Sequence, residues 1–318
     1  RFIKGLVDTQ DIDLNVSREM LQNNPAVAKI SKSLVGKILR ELKKVSEKNA
    51  DGYESFWKEY GAVLKEGLYE DAERKEALLD LCRFSTNEND DSISLSEYVE
   101  KMPEKQKDIY YISAETKDQA LASPHLEGFK SKKIPVLIMT DAIDQFWLPM
   151  VGSFKEKKFT SITQGQINLD DLDEKNKDKK KDDKNEKEKK DKEYVDLVAQ
   201  LKVVLGDQVK DIRLSSKLTD SPVCLVADEG DMDIAMEQLM AQRDTNYKGA
   251  PRILEINGDH SLIKNMKSLL SKKENNDLVS DAGTLLFEQA RLMEGKMPAD
   301  PAQFSKIMNQ FLLKAIPN

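Results

Sequence analysis

A run of charged residues without a single apolar side chain divides the chain into two parts. Residues 173–192 read DEKNKDKKKDDKNEKEKKDK and consist of ten lysines, eight acidic residues and two asparagines. Such a segment has no apolar surface to bury, so it cannot belong to a hydrophobic core. It predicts either a solvated linker or a single charged helix, and the parts on either side are expected to build their own cores.

Length and charge narrow the class of protein further. A chain of 318 residues is long for one core and predicts two or three domains. The net charge of −7 argues against nucleic acid as a partner, which would need a basic surface. No apolar stretch approaches the length of a membrane span, so no membrane partner is expected.

Cysteine and histidine usage points to a reducing compartment without a zinc site. Cys82 and Cys224 each lie in an apolar run and are expected to be reduced core thiols, which predicts a cytoplasmic protein. His125 and His260 are the only histidines, and the two cysteines are not close to each other in the sequence. These residues are too few and too scattered to predict a zinc site. Both are interpreted as loop or capping residues, and no metal is expected.

Residues 1–106 have the pattern of a helical region. Asn24 followed by Pro25 predicts a capped helix start, and apolar residues then recur at helical spacing. A second amphipathic segment is predicted to end at Gly67. Ser94 and Glu97 are spaced as a capping box before a short helix.

Strand patterns appear in residues 107–169 and again after the charged run. The first region has the apolar runs DIYYISA and IPVLIMT on either side of a helical stretch, which predicts a parallel βαβ unit. The second has VKDIRLS, PVCLVA and RILEIN among helical segments. The predicted class is therefore α/β and α+β multidomain, with a helical region (1–106), a small α/β/α domain (107–169), a charged linker (170–193) and a C-terminal α+β domain (194–318).

The sequence motifs give little support for an enzyme that is active on its own. The glycines are not spaced as a phosphate-binding loop, and no nucleophile elbow is present. Asp141 and Asp144 follow a predicted strand, where α/β proteins often bind ligands. Two acids at this spacing equally suit the start of a helix, and that interpretation is favoured.

The last two helical segments carry long apolar stripes. Asp300 and Pro301 predict the start of the final helix. The pattern fits either a hairpin inside one domain or a four-helix dimer interface, and it leaves both open. The candidate interface residues are Leu285, Leu286, Leu292, Met293, Phe304, Ile307, Met308, Phe311 and Leu312.

Two further segments could serve as protein-binding surfaces. Met232, Met236, Leu239 and Met240 lie along one face of a predicted helix, where they could form core or an adaptable exposed surface. The segment DQFW places Phe146 beside Trp147. One of these aromatic side chains is expected in the core and the other at a recognition surface.

The order and spacing of several segments resemble the middle and C-terminal parts of the ninety-kilodalton heat-shock chaperone family, most closely its bacterial HtpG type. The similarity extends along nearly the whole chain apart from the charged run. The matching segments are FIKGLVDTQDIDLNVSREMLQ, FWKEYGAVLKEGLYED, LLDLCRFST, SLSEYVEKM, QKDIYYISAET, SPHLEGFKSKKIPVLIMTDAID, KDIRLSSKLTDSPVCLV and DPAQFSKIMNQFL.

The resemblance implies a catalytic role for the loop LNVSREMLQ. In that family the loop reaches the ATP held by a separate N-terminal domain, which gives catalytic roles to Arg18 and Gln22. A guanidinium can stabilise charge on a transferring phosphoryl group without taking part in proton transfer. ATP and Mg are thus implied as cofactors of the full-length protein, held by a domain outside this sequence. The chain alone is expected to bind no cofactor and to be inactive.

The same resemblance implies that the chain binds non-native proteins, called clients, and forms a homodimer. The implied client-binding residues are Gln145, Phe146, Trp147, Met232, Met236, Leu239 and Met240. Dimerisation would use the two C-terminal helices, and other chaperones are further possible partners. The alternative function is a passive scaffold for a single folded protein.

Overall fold

The chain folds into a succession of helices and short strands. The computed structural model describes residues 3–10, 24–88, 91–169, 172, 180–244, 247, 249–271 and 276–316. The helices are α1 (Pro25–Lys48), α2 (Ala50–Glu70), α3 (Lys75–Leu81), α4 (Leu95–Lys101), α5 (Lys117–Leu121), α6 (Glu127–Ser131), α7 (Asp144–Val151), α8 (Lys180–Leu205), α9 (Ile234–Arg243), α10 (Ser261–Leu270), α11 (Asn276–Met293) and α12 (Pro301–Ala315). The strands are β1 (Ser85–Thr86), β2 (Ile109–Ser113), β3 (Leu137–Met139), β4 (Ser153–Phe154), β5 (Lys157–Ser161), β6 (Val209–Leu214), β7 (Val223–Val226) and β8 (Arg252–Ile256).

The first of two compact units comprises Arg1–Ser85, Asn89–Lys101 and Asp141–Lys158. Its helices α1, α2 and α3 pack on one another, and α7 packs on α2. Tyr53 is buried at their centre, and its hydroxyl donates a 2.7 Å hydrogen bond to the carbonyl oxygen of Leu81. This unit is the predicted helical region together with the segment that carries Phe146.

Local capping signals in this unit are confirmed, with one exception. The Asn24 side chain accepts a 2.8 Å hydrogen bond from the N–H of Ala26, as the Asn-Pro start predicts. Ser94 and Glu97 form the reciprocal capping box. The predicted helix end at Gly67 is wrong, because α2 continues to Glu70. A Cβ at this glycine would lie 3.1 Å from the Leu78 side chain, so the glycine serves close packing with α3.

The second unit comprises Thr86–Glu88, Met102–Thr140 and Phe159–Asn318. Its first sheet confirms the predicted βαβ unit, since β2 pairs in parallel with β3 through Tyr111 and Leu137. On its other side β2 pairs in parallel with β5. Phe129 and Tyr110, with ring centroids 5.1 Å apart, lie in the core beneath this sheet.

The second sheet of this unit has the strand order β6-β8-β7. Strand β8 pairs in parallel with β6 and antiparallel with β7, which gives the predicted α+β arrangement. Its core contains side chains from α8, α10 and α11 as well as from all three strands. The mixture of helices and sheets confirms the predicted fold class, whereas the predicted domain limits stay a prediction.

Helix α8 begins inside the charged run and continues beyond it without a break, so that its second half packs into this core. Tyr194 is the first buried residue after the run, and its hydroxyl donates a 2.5 Å hydrogen bond to the carbonyl oxygen of Gly258. Leu201 and Leu205 follow on the same buried face. The charged-helix alternative therefore holds for the described part of the run from Lys180 onward.

Helix α10 was absent from the predicted elements. It begins after His260, whose Nδ1 accepts a 3.1 Å hydrogen bond from the N–H of Leu262, so the capping interpretation of this histidine is confirmed. Both cysteines are free and buried, as predicted. Among the described residues, none of the helices combines the length and apolarity that crossing a membrane would require.

Candidate functional site

Helices α11 and α12 pack on each other at the end of the described chain, with one face buried and the other in solvent. The side chain of Asp300 accepts a 2.9 Å hydrogen bond from the N–H of Gln303, which confirms the predicted start of α12. Ile307 is buried, and Phe311 packs on the core of the second sheet. The packing of α12 on α11 thus agrees with the hairpin alternative for this face.

The other face of the pair leaves large apolar side chains exposed. Leu312 is 50% exposed and Leu313 is 76% exposed. Leu286 and Ile307 are buried within the chain itself, which places them behind any surface that a second copy would contact. The exposed apolar residues of the pair and its linking turn are Leu292, Met293, Met297, Met308, Leu312, Leu313 and Ile316, while Leu285, Phe304 and Phe311 are partly buried.

Helix α9 carries the predicted methionine stripe on a half-exposed face. Its start is fixed by Asp233, which accepts a 2.9 Å hydrogen bond from the N–H of Ala235 and further bonds from the hydroxyls of Ser161 and Thr163. Met232 precedes this cap and is 39% exposed. The stripe residues within the helix, each of intermediate exposure, are Met236, Leu239 and Met240.

The opposite face of α9 is held by a buried ion pair. Glu237 and Arg252 are paired with side chains that are each 4% exposed. The other Glu237 carboxylate oxygen accepts a 2.7 Å hydrogen bond from the N–H of Ala250. Glu237 and Ile234 are the buried residues of this helix, whereas the methionine side chains within it are only partly buried.

Helix α7 begins at a buried carboxylate. Asp144 is completely buried and accepts a 2.7 Å hydrogen bond from the Trp147 indole N–H. The Lys65 ammonium donates to Asp144 at 3.0 Å and to Asp141 at 2.8 Å. Burial acts to lower the pKa of Lys65, but the two carboxylates outweigh it and raise this pKa, which keeps the ammonium charged. The favoured interpretation of Asp144 as a helix-start residue is confirmed.

The two aromatic residues of α7 have different environments. Trp147 is completely buried and packs near Phe84, with ring centroids 6.2 Å apart. Its indole N–H is directed at Asp144, so this side chain offers no surface to a partner. Phe146 is of intermediate exposure and meets Tyr69 edge-on, with ring centroids 6.3 Å apart and an interplanar angle of 78°. Gln145 is likewise of intermediate exposure.

Comparison with known proteins decides the family. The model of the Hsp90 protein family matches residues 1–317. The chain belongs to the Hsp90 family. It is 43% identical over 318 residues to the chaperone protein HtpG of Roseobacter denitrificans, 43% over 316 residues to that of Paramagnetospirillum magneticum, and 40% over 324 residues to that of Wolbachia pipientis wMel.

The similarity covers only part of these Hsp90 relatives. Each comparison includes 99% of this chain but 51%, 50% and 49% of the respective relative. The chain therefore spans about half the length of the curated relatives it matches. Within this Hsp90 chain, the predicted catalytic residues Arg18 and Gln22 lie outside the described residues.

Lys65 is the site residue that the sequence interpretation missed. A signal for it is present, because position 65 lies on the same helical face as the buried residues Gly61, Leu64 and Leu68. A lysine within a buried stripe requires an acidic partner. The identity of that partner could not be read from the sequence, because Asp144 lies 79 positions away.

Proposed function

We propose that this Hsp90 chain is part of a cytoplasmic chaperone that forms a homodimer through α11 and α12 and binds non-native client proteins. The observation that carries the proposal is the exposed apolar face at the end of α12, where Leu312, Leu313 and the C-cap residue Ile316 are 50%, 76% and 71% exposed. Isolated exposed apolar residues are common, but a contiguous set marks an interaction surface.

A symmetric dimer suits this face for energetic reasons. Burying one leucine or methionine side chain contributes about 1.5–3 kcal/mol before association costs are counted. In a two-fold interface each exposed residue is used twice, once by each protomer. Pairing α11 and α12 with the same helices of a second copy would produce a four-helix arrangement that covers Leu292 and Met308 as well.

Molecular mass in solution tests the dimer. We expect the chain to sediment as a dimer and a chain truncated before Asp300 to sediment as a monomer. Leu312→Glu combined with Leu313→Glu should also give a monomer with its helix content retained, because both side chains are exposed. The matched control is Val203→Glu on α8, which is 79% exposed and should remain dimeric. A monomeric unsubstituted chain would leave α11 and α12 as an internal hairpin only.

Client binding is assigned to two surfaces. The first consists of Gln145 and Phe146 on α7, with Trp147 placed behind it in the core. The second is the methionine face of α9 together with Met232. Methionine side chains are flexible and repack against varied partners, which suits a surface that must accept many unfolded sequences. A passive scaffold would instead saturate with one folded protein and ignore unfolded ones.

The proposed ATPase role concerns the full-length protein. Arg18 would act on the γ-phosphate of ATP, and Gln22 would assist it. ATP and Mg would be held by a nucleotide-binding domain outside this sequence, so the chain alone should not hydrolyse ATP. The support for these roles is the match to the Hsp90 family across residues 1–317.

A further inference from the structure

The buried Lys65 does more than neutralise a charge. Its side chain is 4% exposed and contacts two carboxylates, one of which, Asp144, opens helix α7. The same Asp144 carboxylate accepts hydrogen bonds from the backbone N–H of Asp141, at 3.2 Å, and from the Trp147 indole. Ammonium, carboxylate and indole thus fix the first turn of α7 against α2 in one orientation.

The same two helices also meet at the surface of the first unit. Tyr69 lies one turn after Lys65 on α2, and Phe146 lies two residues after Asp144 on α7. Their rings are in edge-on contact, and Tyr69 is 49% exposed. Met150 follows Phe146 by one helical turn and is 58% exposed. A shift of α7 along α2 would therefore separate Phe146 from Tyr69.

We infer that Lys65 is a positioning residue for the client surface of the first unit and that Tyr69 belongs to that surface beside Phe146. The partner is an apolar, partly aromatic segment of a non-native polypeptide. The inference rests on the proposed function, because it assigns a role to the surface on which Phe146 is proposed to bind clients.

Energetics favours a positioning role over a stabilising one. An apolar residue in place of a buried ion pair is often neutral or stabilising, because desolvation offsets most of the Coulomb attraction. Hydrogen bonds and ion pairs are directional, whereas apolar packing tolerates small displacements. Removing the charges of Lys65 and Asp144 together should consequently leave the fold intact and release the orientation of α7.

Binding of an unfolded probe tests the inference. The probe is fluorescein-labelled, reduced and carboxymethylated α-lactalbumin, and affinity is measured by fluorescence anisotropy. We expect Phe146→Ser, Tyr69→Ser and the double variant Lys65→Met/Asp144→Asn each to weaken binding about tenfold, the effect of losing one central aromatic contact. Tyr60→Ser is the matched control, since Tyr60 is a 39% exposed tyrosine on the same helix, and it should bind normally.

A spectroscopic measurement separates positioning from stability. In the chain labelled with 3-fluorotyrosine, the Tyr69 resonance is assigned by its loss in Tyr69→Phe. Phe146→Ser should shift this ¹⁹F resonance, and Lys65→Met/Asp144→Asn should shift it in the same direction. Lys65→Arg, which keeps the donors to both carboxylates, should retain the resonance and the affinity.

The possible outcomes distinguish the two proposals. Normal affinity in Phe146→Ser would overturn the client assignment of α7 and the inference with it. Weak binding in Phe146→Ser with normal binding in Tyr69→Ser and in the Lys65→Met double variant would overturn the inference alone. If that double variant fails to fold, Tyr69→Ser still tests the inference. Normal client binding by Tyr69→Ser would show that Tyr69 does not belong to the client surface beside Phe146.

Discussion

At the scale of single residues, Glu127 shows how one carboxylate can hold a loop in place. It lies in the first turn of α6, and its oxygens accept hydrogen bonds from three successive backbone N–H groups, those of Thr219, Asp220 and Ser221, at 2.8, 2.8 and 3.1 Å. Burial acts to raise the pKa of Glu127, but the bonds from Ser221, Asp220 and Thr219 outweigh it, and the pKa is lowered. The loop before β7 is thereby attached to helix α6 of the same unit.

The lowered pKa of Glu127 predicts a pH-dependent contribution to stability. Since the pKa is lower in the folded chain than in the unfolded one, the contribution is complete above the unfolded pKa and disappears as the pH falls through the folded pKa. Glu127→Gln should reduce the free energy of unfolding by about 1 kcal/mol at neutral pH, allowing for solvent screening. Urea denaturation at neutral pH and at successively lower pH values measures this difference, which should vanish in acid.

A matched variant controls for the loss of a surface charge. Glu104 is exposed in the same unit, and Glu104→Gln should leave the free energy of unfolding nearly unchanged at every pH. A Glu127→Gln difference that persists unchanged at low pH would show that the hydrogen-bonded carboxylate is not its origin.

At the scale of elements, α9 has two faces in different environments, one buried and one half-exposed. Glu237 and Ile234 fix the helix to the unit, while Met236 and Met240 stand at the half-exposed face. Under the proposed function, substitutions on this helix should therefore change client binding and stability separately.

Substitutions on the two faces should have opposite consequences. Met236→Lys combined with Met240→Lys should weaken binding of an unfolded client while the thermal midpoint changes little, because lysine stems can lie along the surface with their charges in water. Glu237→Leu should instead destabilise the unit by about 3–5 kcal/mol, since Arg252 would stay buried without its partner. Client affinity and a melting curve are measured for the methionine variant. Unchanged client affinity would show that the methionine stripe serves packing and not client binding.

The elements that the sequence predicted best are those with a local start signal. Asn24-Pro25 and Asp300-Pro301 are sufficient to place the starts of α1 and α12, because the capping bonds form within two or three residues. Helix α10 lacks such a signal in the usual residue types, since its cap is His260. Gly67 was misleading as a helix end. A side chain at this position would crowd Leu78 on another helix, and no local sequence pattern can reveal that contact.

The candidate sites were predictable to the extent that they depend on periodicity. Spacing identified the stripes of α9 and α12 but not which side of each stripe would be buried, because that depends on the neighbours of the helix. The choice between Phe146 and Trp147 was open for the same reason. The structure places Trp147 inside because its indole N–H donates to the buried Asp144, which is paired with Lys65. Lys65 is 79 positions from Asp144, so a local sequence pattern could not predict this pair.

At the scale of the whole molecule, the proposed chemistry requires parts beyond this chain. The chain spans about half the length of its curated relatives, and the proposed site for ATP belongs to a domain outside this sequence. Under the proposed function, nucleotide binding would shift the dimer between open and closed populations. A residue that contacts the nucleotide only in the closed population would couple ATP to the remainder of the chain.

Arg18 is the residue for which this coupling makes the sharpest prediction. In a full-length protein that carries the nucleotide-binding domain, Arg18→Ala should lower the ATP turnover rate about a hundredfold, the effect of removing one preorganised charge donor from a transition state. ATP affinity should be nearly unchanged, because the nucleotide is held by the other domain and Arg18 acts on the transferring phosphoryl group. Turnover is measured by phosphate release at saturating ATP, and affinity by displacement of a fluorescent nucleotide. Arg40→Ala, an exposed arginine on α1, is the matched control and should keep full turnover. Equal losses in turnover and affinity would make Arg18 a binding residue, and unchanged turnover would remove it from the catalytic apparatus altogether.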